Sequence, residues 1–294
     1  MADHEIEIIR GWLSERPRPA DVVERRKRLD VLGAQYPLPG DVLLEPTVAN
    51  GVRAEWTTTP EADPARAILF LHGGGYMAGS LVSHRHMISL AGREARSRTL
   101  ALDYRLAPEH AFPAALEDAL AGYRFLLSEG FEPARIAIAG ESAGGGLAVA
   151  TLVSLRDAGV ELPACAWLSS PWVDLEVVGE SMSSKAAIDP MIQKPYLLEL
   201  AEAYLKGADP RSPLASPIHA DLRGLPPMLI QVGSAETLLD DAMRLTRGAA
   251  MADVRVTLEV WPDMIHAWHL FYQQLGAGRR ALAAVGAFIR SMLR

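Results

Sequence analysis

The sequence has a single cysteine, no long apolar run and no excess of basic residues. Cys165 cannot form an internal disulfide, and residues 1–10 contain no apolar signal region, so we expect a cytoplasmic protein. Lys and Arg number 29 against 36 Asp and Glu, and the net charge of −7 offers no general attraction to nucleic acid or anionic lipid. No window of about 18 apolar residues is free of charge, which argues against a membrane span. We therefore expect neither nucleic acid nor a membrane as a partner.

What the sequence does contain is a regular alternation of strand-like and helix-like segments. Eight short apolar runs predict strands over 42–48, 52–58, 67–71, 99–104, 135–139, 164–169, 228–232 and 254–260. Helical spacing predicts helices near 80–97, 113–129, 143–158, 191–206, 237–252 and 277–293. Alternating strands and helices predict an α/β fold with a mostly parallel eight-stranded sheet and helices on both faces. The Asn50-Gly51 pair between the first two runs predicts an antiparallel hairpin at the start of the sheet.

Two segments do not follow the alternation, and we expect them to pack over one end of the sheet. They are residues 1–40, which have a helical pattern interrupted by prolines, and the proline-rich residues 172–226. The remaining parts, 41–171 and 227–294, would form the catalytic domain. The basic cluster at residues 25–28 superficially resembles a nucleic-acid patch. The acidic residues around it favour a solvated helix face instead.

The first motif with chemical meaning is Gly140-Glu141-Ser142-Ala143-Gly144. It follows a predicted strand and begins a predicted helix. A strand-turn-helix corner of this kind holds the serine in a strained conformation with its hydroxyl exposed above the sheet, and the small flanking residues let the turn close. The alternative is a glycine-rich turn that merely joins strand to helix. We interpret Ser142 as a nucleophile.

A second glycine-rich motif, His72-Gly73-Gly74-Gly75-Tyr76, follows the strand predicted over 67–71. Glycines let the main chain approach an acyl oxygen closely and direct successive N–H groups at it, as a developing oxyanion requires. The alternative is a purely structural glycine turn. The two motifs together indicate acyl transfer.

A serine nucleophile needs a base and an acid that orients the base. His266 lies in the loop after the last predicted strand, whereas His269 falls three residues further on, in the following helix. Glu236 follows the strand over 228–232 and is our expected acid. Asp240 and Asp241 are competitors, although acids one turn into a helix usually serve its dipole or cap. The Glu236 or Asp240 carboxylate would hold the second ring nitrogen of His266.

The chain resembles the hormone-sensitive-lipase-like esterases of the α/β-hydrolase fold. Three blocks carry the resemblance, which extends from about residue 40 to the C-terminus: His72–Tyr76, Asp103–Pro113 and Gly140–Gly145. The resemblance implies Ser142 as nucleophile, His266 as base, and an oxyanion hole formed by the N–H groups of Gly74, Gly75 and Ala143. It also implies a small helical cap and a homodimer. The family usually has aspartate where this chain has Glu236 and Glu141, and we expect only Glu236 to affect the mechanism.

We therefore expect a serine carboxylesterase that forms an acyl-enzyme and needs no metal or organic cofactor. Five side chains are expected to line an apolar substrate pocket for short- to medium-chain esters: Tyr76, Met191, Tyr196, Met264 and Trp268. The alternative for these residues is core packing between cap and sheet. A lactone hydrolase with the same triad is the alternative function, and a non-catalytic small-molecule receptor on the same fold is a remote one.

Overall fold

The computed structural model describes residues 4–294, which include an eight-stranded sheet. The strands are β1 (Leu43–Ala49), β2 (Val52–Thr58), β3 (Asp63–Leu71), β4 (Ser97–Leu102), β5 (Ile136–Glu141), β6 (Cys165–Ser169), β7 (Met228–Gly233) and β8 (Val256–Trp261). Their order across the sheet is β1-β2-β4-β3-β5-β6-β7-β8. Strand pairs from β4 to β8 are parallel, while β2 runs antiparallel to both β1 and β4. The predicted mostly parallel sheet is confirmed.

The hairpin between β1 and β2 turns at the Asn-Gly pair. Asn50 has a φ of 50° and Gly51 a φ of 93°, so both central residues are left-handed. A tight turn of this type matches the twist of the strands it joins, and asparagine and glycine adopt it at low cost. The turn sets the register by pairing Ala49 with Val52, and the predicted antiparallel hairpin is present.

Helices cover both faces of the sheet. They are α1 (His4–Ser14), α2 (Val22–Ala34), α3 (Leu81–Ala95), α4 (Ala114–Ser128), α5 (Ala143–Asp157), α6 (Ser181–Ser184), α7 (Lys194–Leu205), α8 (Leu239–Met251) and α9 (Gly276–Met292). Successive strand residues point to opposite faces: Leu69 joins the core shared with α4, α5 and α8, and Phe70 the core shared with α3 and α9. None of the helices in residues 4–294 combines the length and apolar character needed to cross a membrane.

The parallel strands place the predicted chemistry at one edge of the sheet. β3, β5, β7 and β8 all end there, and the loops that follow them carry the His72–Tyr76 motif, Ser142, Glu236 and His266 respectively. Ligand sites of open parallel sheets form at the carboxyl ends of strands because loops from separate crossovers converge there. Residues far apart in the chain therefore meet.

The two segments outside the alternation contain helices, and one from each segment, α2 and α7, are joined by the contact of Arg25 with Glu199. α1 and α2 lie in residues 1–40, and α6 and α7 lie in residues 172–226. α7 is the helix predicted near 191–206, whereas the single turn α6 is too short for a periodic pattern to predict. That these segments form a distinct cap, and that 41–171 and 227–294 form the catalytic domain, stays a prediction.

The basic cluster of α2 is not the solvated face that its acidic neighbours predict. Arg25 is 8% exposed, and its guanidinium lies 2.7 Å from the carboxylate of Glu199 in α7. Arg26 donates to Glu109 at 2.7 Å, and Lys27 remains exposed. The prediction was wrong because α2 packs against other elements, which bury arginine stems and supply acceptors that no local pattern reveals.

Candidate active site

Ser142 occupies the sharp turn between β5 and α5. Its φ of 55° and ψ of −120° are rare for a residue with a side chain. A Cβ at Gly140 would overlap the carbonyl oxygen of Gly144, and a Cβ at Gly144 would overlap that of Leu71, so both positions require glycine. Backbone strain at a residue held by such close contacts is typical of functional sites. The turn places the Ser142 side chain at the wall of a cavity.

His266 lies in the loop after β8 and is within hydrogen-bond distance of Ser142. Its Nε2 is 3.0 Å from the Ser142 Oγ, and its Nδ1 is 2.8 Å from a carboxylate oxygen of Glu236. His269, the alternative histidine, is buried and contacts Ser169 and Gln231 at 2.8 Å each. The structure therefore brings Ser142, Glu236 and His266 together in one hydrogen-bonded chain.

Glu236 is fully buried and held by three hydrogen bonds. Its Oε2 faces the imidazole, while its Oε1 accepts from the Gly233 N–H at 2.5 Å and from the Ser170 hydroxyl at 2.9 Å. Asp240 instead accepts from the Glu180 N–H at 2.9 Å, before the short helix α6. Asp241 accepts from the N–H groups of Val173 and Asp174. Of the three candidate acids, only Glu236 contacts His266 within the described residues.

The loop after β3 presents backbone N–H groups beside Ser142. Gly74 and Gly75 have φ values of 115° and 65°, and both line the cavity that contains Ser142. Along residues 4–294, the N–H groups of Gly74, Gly75 and Ala143 donate to no protein acceptor. Ala143 is the first residue of α5, whose N-terminal N–H groups are free of intrahelical partners. These donors are available to a negatively charged oxygen.

Glu141 is a second carboxylate at the histidine, which the sequence analysis did not assign. Its Oε1 is 3.4 Å from the His266 Nε2, and its Oε2 is 3.0 Å from the Nε2 of His84 in α3. These contacts motivate a test of the expectation that Glu141 does not affect the mechanism. Its position beside Ser142 was a usable signal, but the His84 contact comes from a helix 57 residues away.

Glu141 and Glu236 both favour the protonated form of His266. Burial by itself favours the neutral imidazole, but the hydrogen bonds and charges of Glu141 and Glu236 outweigh it and raise the pKa of His266 above its ordinary value of 6.5. Burial raises the pKa of Glu236. For Glu141, contacts with His266 and His84 overcome the effect of burial and lower the pKa. A proton on His266 is therefore stabilised by its surroundings.

A cavity of about 470 Å³ opens above these groups. Met191 and Tyr196 line it, as predicted. Tyr76, Met264 and Trp268 do not, which corrects the expectation for these three. Tyr76 stacks on Tyr204 at a centroid distance of 3.8 Å. Met264 and Trp268 are buried in the core beside α3 and α9, because the loop after β8 turns them inward.

One cluster outside the cavity has the residue types of a metal site. Asp174, Glu176 and His219 place one potential ligand atom each within 4.8 Å of one another. The Arg244 guanidinium lies 2.6 Å from the Asp174 carboxylate and already supplies a positive charge there. None of these three residues lines the cavity that contains Ser142.

The chain is similar in sequence and in structure to known hydrolases. Residues 68–270 match a family described as having the alpha/beta hydrolase fold. The chain is 48% identical to an acetyl-hydrolase of Streptomyces hygroscopicus, over 99% of this chain and 98% of that one. It is 33% identical to an esterase of Acinetobacter venetianus, over 91% and 88% of the two chains. A crystal structure of an esterase from the bacterial hormone-sensitive lipase family is 46% identical, covers 100% of both chains and has a TM-score of 0.98.

Proposed function

The chain belongs to the α/β-hydrolase family of esterases related to bacterial hormone-sensitive lipase, and from that premise we propose that it is a serine carboxylesterase acting on short- to medium-chain esters. The family assignment makes it a carboxylic ester hydrolase. The observation that carries the serine mechanism is the chain of hydrogen bonds from Ser142 through His266 to Glu236.

In the first stage, the Ser142 Oγ attacks the ester carbonyl while the His266 Nε2 takes the hydroxyl proton. Glu236 accepts a hydrogen bond from the Nδ1–H, which keeps the lone pair on Nε2 toward the serine and stabilises the imidazolium that forms. The carbonyl oxygen becomes an oxyanion that accepts hydrogen bonds from the N–H groups of Gly74, Gly75 and Ala143. Collapse of this intermediate breaks the bond to the alcohol, which leaves with the proton from His266.

In the second stage, water replaces the alcohol. His266 takes a proton from the water as its oxygen attacks the acyl-Ser142 carbonyl, and the same N–H groups stabilise the second oxyanion. The acid is released and the proton returns to Ser142. The transfers between Ser142 and His266 join two groups that already lie 3.0 Å apart.

The cavity supports a small ester as substrate. Its volume of about 470 Å³ is in the range of small-molecule sites, and apolar side chains such as Met191 and Leu197 cover part of its wall. An acyl chain of short to medium length would fill this space and leave the alcohol toward solvent.

Covalent labelling and substrate comparison test the proposal. We expect a fluorophosphonate probe to form one adduct, located on Ser142 by peptide mass spectrometry, and nitrophenyl butyrate to be hydrolysed. Faster turnover of a caprolactone than of nitrophenyl butyrate would favour the lactone hydrolase instead. Absence of both adduct and turnover in folded protein would contradict an enzymatic role and favour a receptor.

The pH dependence of activity should follow the charge on His266. The imidazole must be neutral to take the serine proton, and its raised pKa means that the neutral form grows as pH rises past 6.5. We therefore expect kcat/KM to rise with pH through neutrality into the alkaline range. Glu141→Gln removes one of the two charges that raise this pKa, so the acid limb should move to lower pH by about one unit.

A matched control separates this effect from a general change in charge. Glu117→Gln alters an exposed carboxylate of α4 that pairs with Arg105, and should leave the acid limb where it is. An acid limb that does not move in Glu141→Gln, measured over the same pH range, would show that Glu141 does not control His266.

A further inference from the structure

Four arginines line the same cavity as Ser142, and none of them takes part in the proposed steps of ester hydrolysis. They are Arg16, Arg18, Arg25 and Arg28. All come from the stretch 16–28, which joins α1 to α2 and forms the first turns of α2. Glu141 is the one carboxylate among the described lining residues, and it lies at the base beside His266. The outer wall is therefore positively charged in a chain whose net charge is −7.

Only part of this positive charge is neutralised. Arg25 is paired with Glu199 at 2.7 Å, and Arg16 lies 3.8 Å from the exposed carboxylate of Glu15. Across residues 4–294, no carboxylate forms an ion pair with Arg18 or Arg28. Two guanidinium charges at the wall are thus left without an acidic partner in the described chain.

Asp189, an acid whose charge acts on Arg18, already accepts hydrogen bonds from other groups. Asp189 is buried, and its two oxygens accept from the N–H groups of Met191, Ile192 and Thr237. Partial desolvation lowers the pKa of Arg18, and the like charge of Arg25 lowers it further. The positive charges of Arg25 and Arg28 therefore act on Arg18, and no carboxylate among the described residues forms an ion pair with it.

Main-chain carbonyls and an aromatic ring hold the two unpaired guanidinium groups in place. Arg28 donates to the carbonyl oxygens of Pro17 at 2.5 Å and Arg16 at 2.6 Å. Arg18 donates to the carbonyl oxygen of Met191, and its guanidinium lies 3.4 Å from the ring centroid of Tyr196. These contacts fix the head groups but do not cancel their charge, and each guanidinium has five N–H donors, so some remain for a ligand.

We propose that the preferred ester carries a carboxylate or similar anionic group remote from the scissile bond, and that Arg18 and Arg28 bind this group while the carbonyl lies at Ser142. The inference rests on the proposed esterase function and deepens it. A neutral ester would gain nothing from unpaired arginines, whereas an anionic one approaching a negatively charged protein would be attracted to this local positive potential. The geometry thus assigns Arg18 and Arg28 to substrate selection rather than to bond cleavage.

Matched pairs of esters test the proposal on both halves of the substrate. For the acyl half, nitrophenyl hemiglutarate and hemisuberate are compared with nitrophenyl pentanoate and octanoate. For the alcohol half, acetoxyphenylpropionate is compared with propylphenyl acetate, whose leaving group has similar electronic character. We expect at least one anionic ester to exceed its neutral partner by about tenfold in kcat/KM, mainly through a lower KM. Raising NaCl from about 50 mM to about 1 M should reduce the preference.

Variants of the two arginines identify the source of the preference. Arg18→Gln with Arg28→Gln should reduce the ratio of anionic to neutral kcat/KM by about tenfold, whereas Arg18→Lys, which retains the charge, should keep most of it. Lys27→Gln is the control, because it removes one charge next to Arg28 in α2 at an exposed position outside the cavity, and the ratio should not change.

The outcomes separate this inference from the function on which it rests. Turnover of neutral esters without preference for any anionic partner would overturn the anion site and leave the esterase intact. A preference that survives in the double variant would overturn the assignment to Arg18 and Arg28. If the unmutated protein hydrolyses none of the esters and forms no fluorophosphonate adduct, the proposed function itself would be overturned.

Discussion

Replacing Ser142 with alanine is expected to reduce kcat/KM for nitrophenyl butyrate by about 10⁴- to 10⁶-fold. The hydroxyl oxygen is the atom that forms the acyl-enzyme, and nothing else at the turn can replace it. Stopped assays at high enzyme concentration should detect the residual rate, which would come from substrate binding and the N–H groups of Gly74, Gly75 and Ala143 alone. The fluorophosphonate adduct should be lost completely.

The fold should survive this substitution. The Ser142 side chain hydrogen-bonds within the site, to the His266 Nε2 at 3.0 Å, and alanine tolerates the φ of 55° no worse than serine does. Thermal denaturation should therefore show a Tm close to that of the unmutated protein. Ser128→Ala, at the exposed end of α4, is the control and should retain full activity. Activity of Ser142→Ala within tenfold of the unmutated level would refute Ser142 as nucleophile.

Glu236→Gln is expected to reduce kcat/KM by about 10³- to 10⁴-fold, the second largest effect. The Gly233 N–H and the Ser170 hydroxyl both donate to one oxygen of Glu236, so the amide oxygen of glutamine must take that position. The amide NH₂ then faces the His266 Nδ1 and donates to it. The ring hydrogen moves to Nε2, which can no longer accept the proton of Ser142.

Asp240→Asn is the informative comparison, because sequence alone left Asp240 as a rival acid. An asparagine oxygen can still accept from the Glu180 N–H, and Asp240 has no contact with the imidazole, so activity should stay within a few-fold of the unmutated protein. Full kinetics of both variants on one ester, with circular dichroism to verify folding, decide the assignment. Near-normal activity in Glu236→Gln would exclude Glu236 as the orienting acid.

Much of the fold could be predicted because its signals are local. The eight strands were recognisable as short apolar runs, and β2 matches its predicted bounds of 52–58. The Asn-Gly pair predicted the hairpin. The glycines on both sides of Ser142 predicted its sharp turn, because a side chain at either position would collide with nearby backbone. The short helix α6 was missed because four residues contain too little of a helical period to be recognised.

The cavity wall was predicted less well than the triad. An apolar residue near a catalytic loop can face either the cavity or the core, and its neighbours in sequence do not distinguish the two. Met191 and Tyr196 face the cavity, whereas Tyr76, Met264 and Trp268 pack inward. Only the packing of α7 against the loop after β3, which brings Tyr204 under Tyr76, decides the direction of that ring.

The sequence by itself determined the order of strands and helices, the strained turn at Ser142 and the glycine loop, because each depends on residues within a few positions of one another. The tertiary structure decided which carboxylate meets His266, that Glu141 is a second one, and that four arginines of the stretch 16–28 face a cavity. Those outcomes depend on contacts between residues far apart in the chain: Glu236 with His266, Glu141 with His266, and Arg25 with Glu199. Such contacts form only when parallel strands align their ends and a separate helix packs across them.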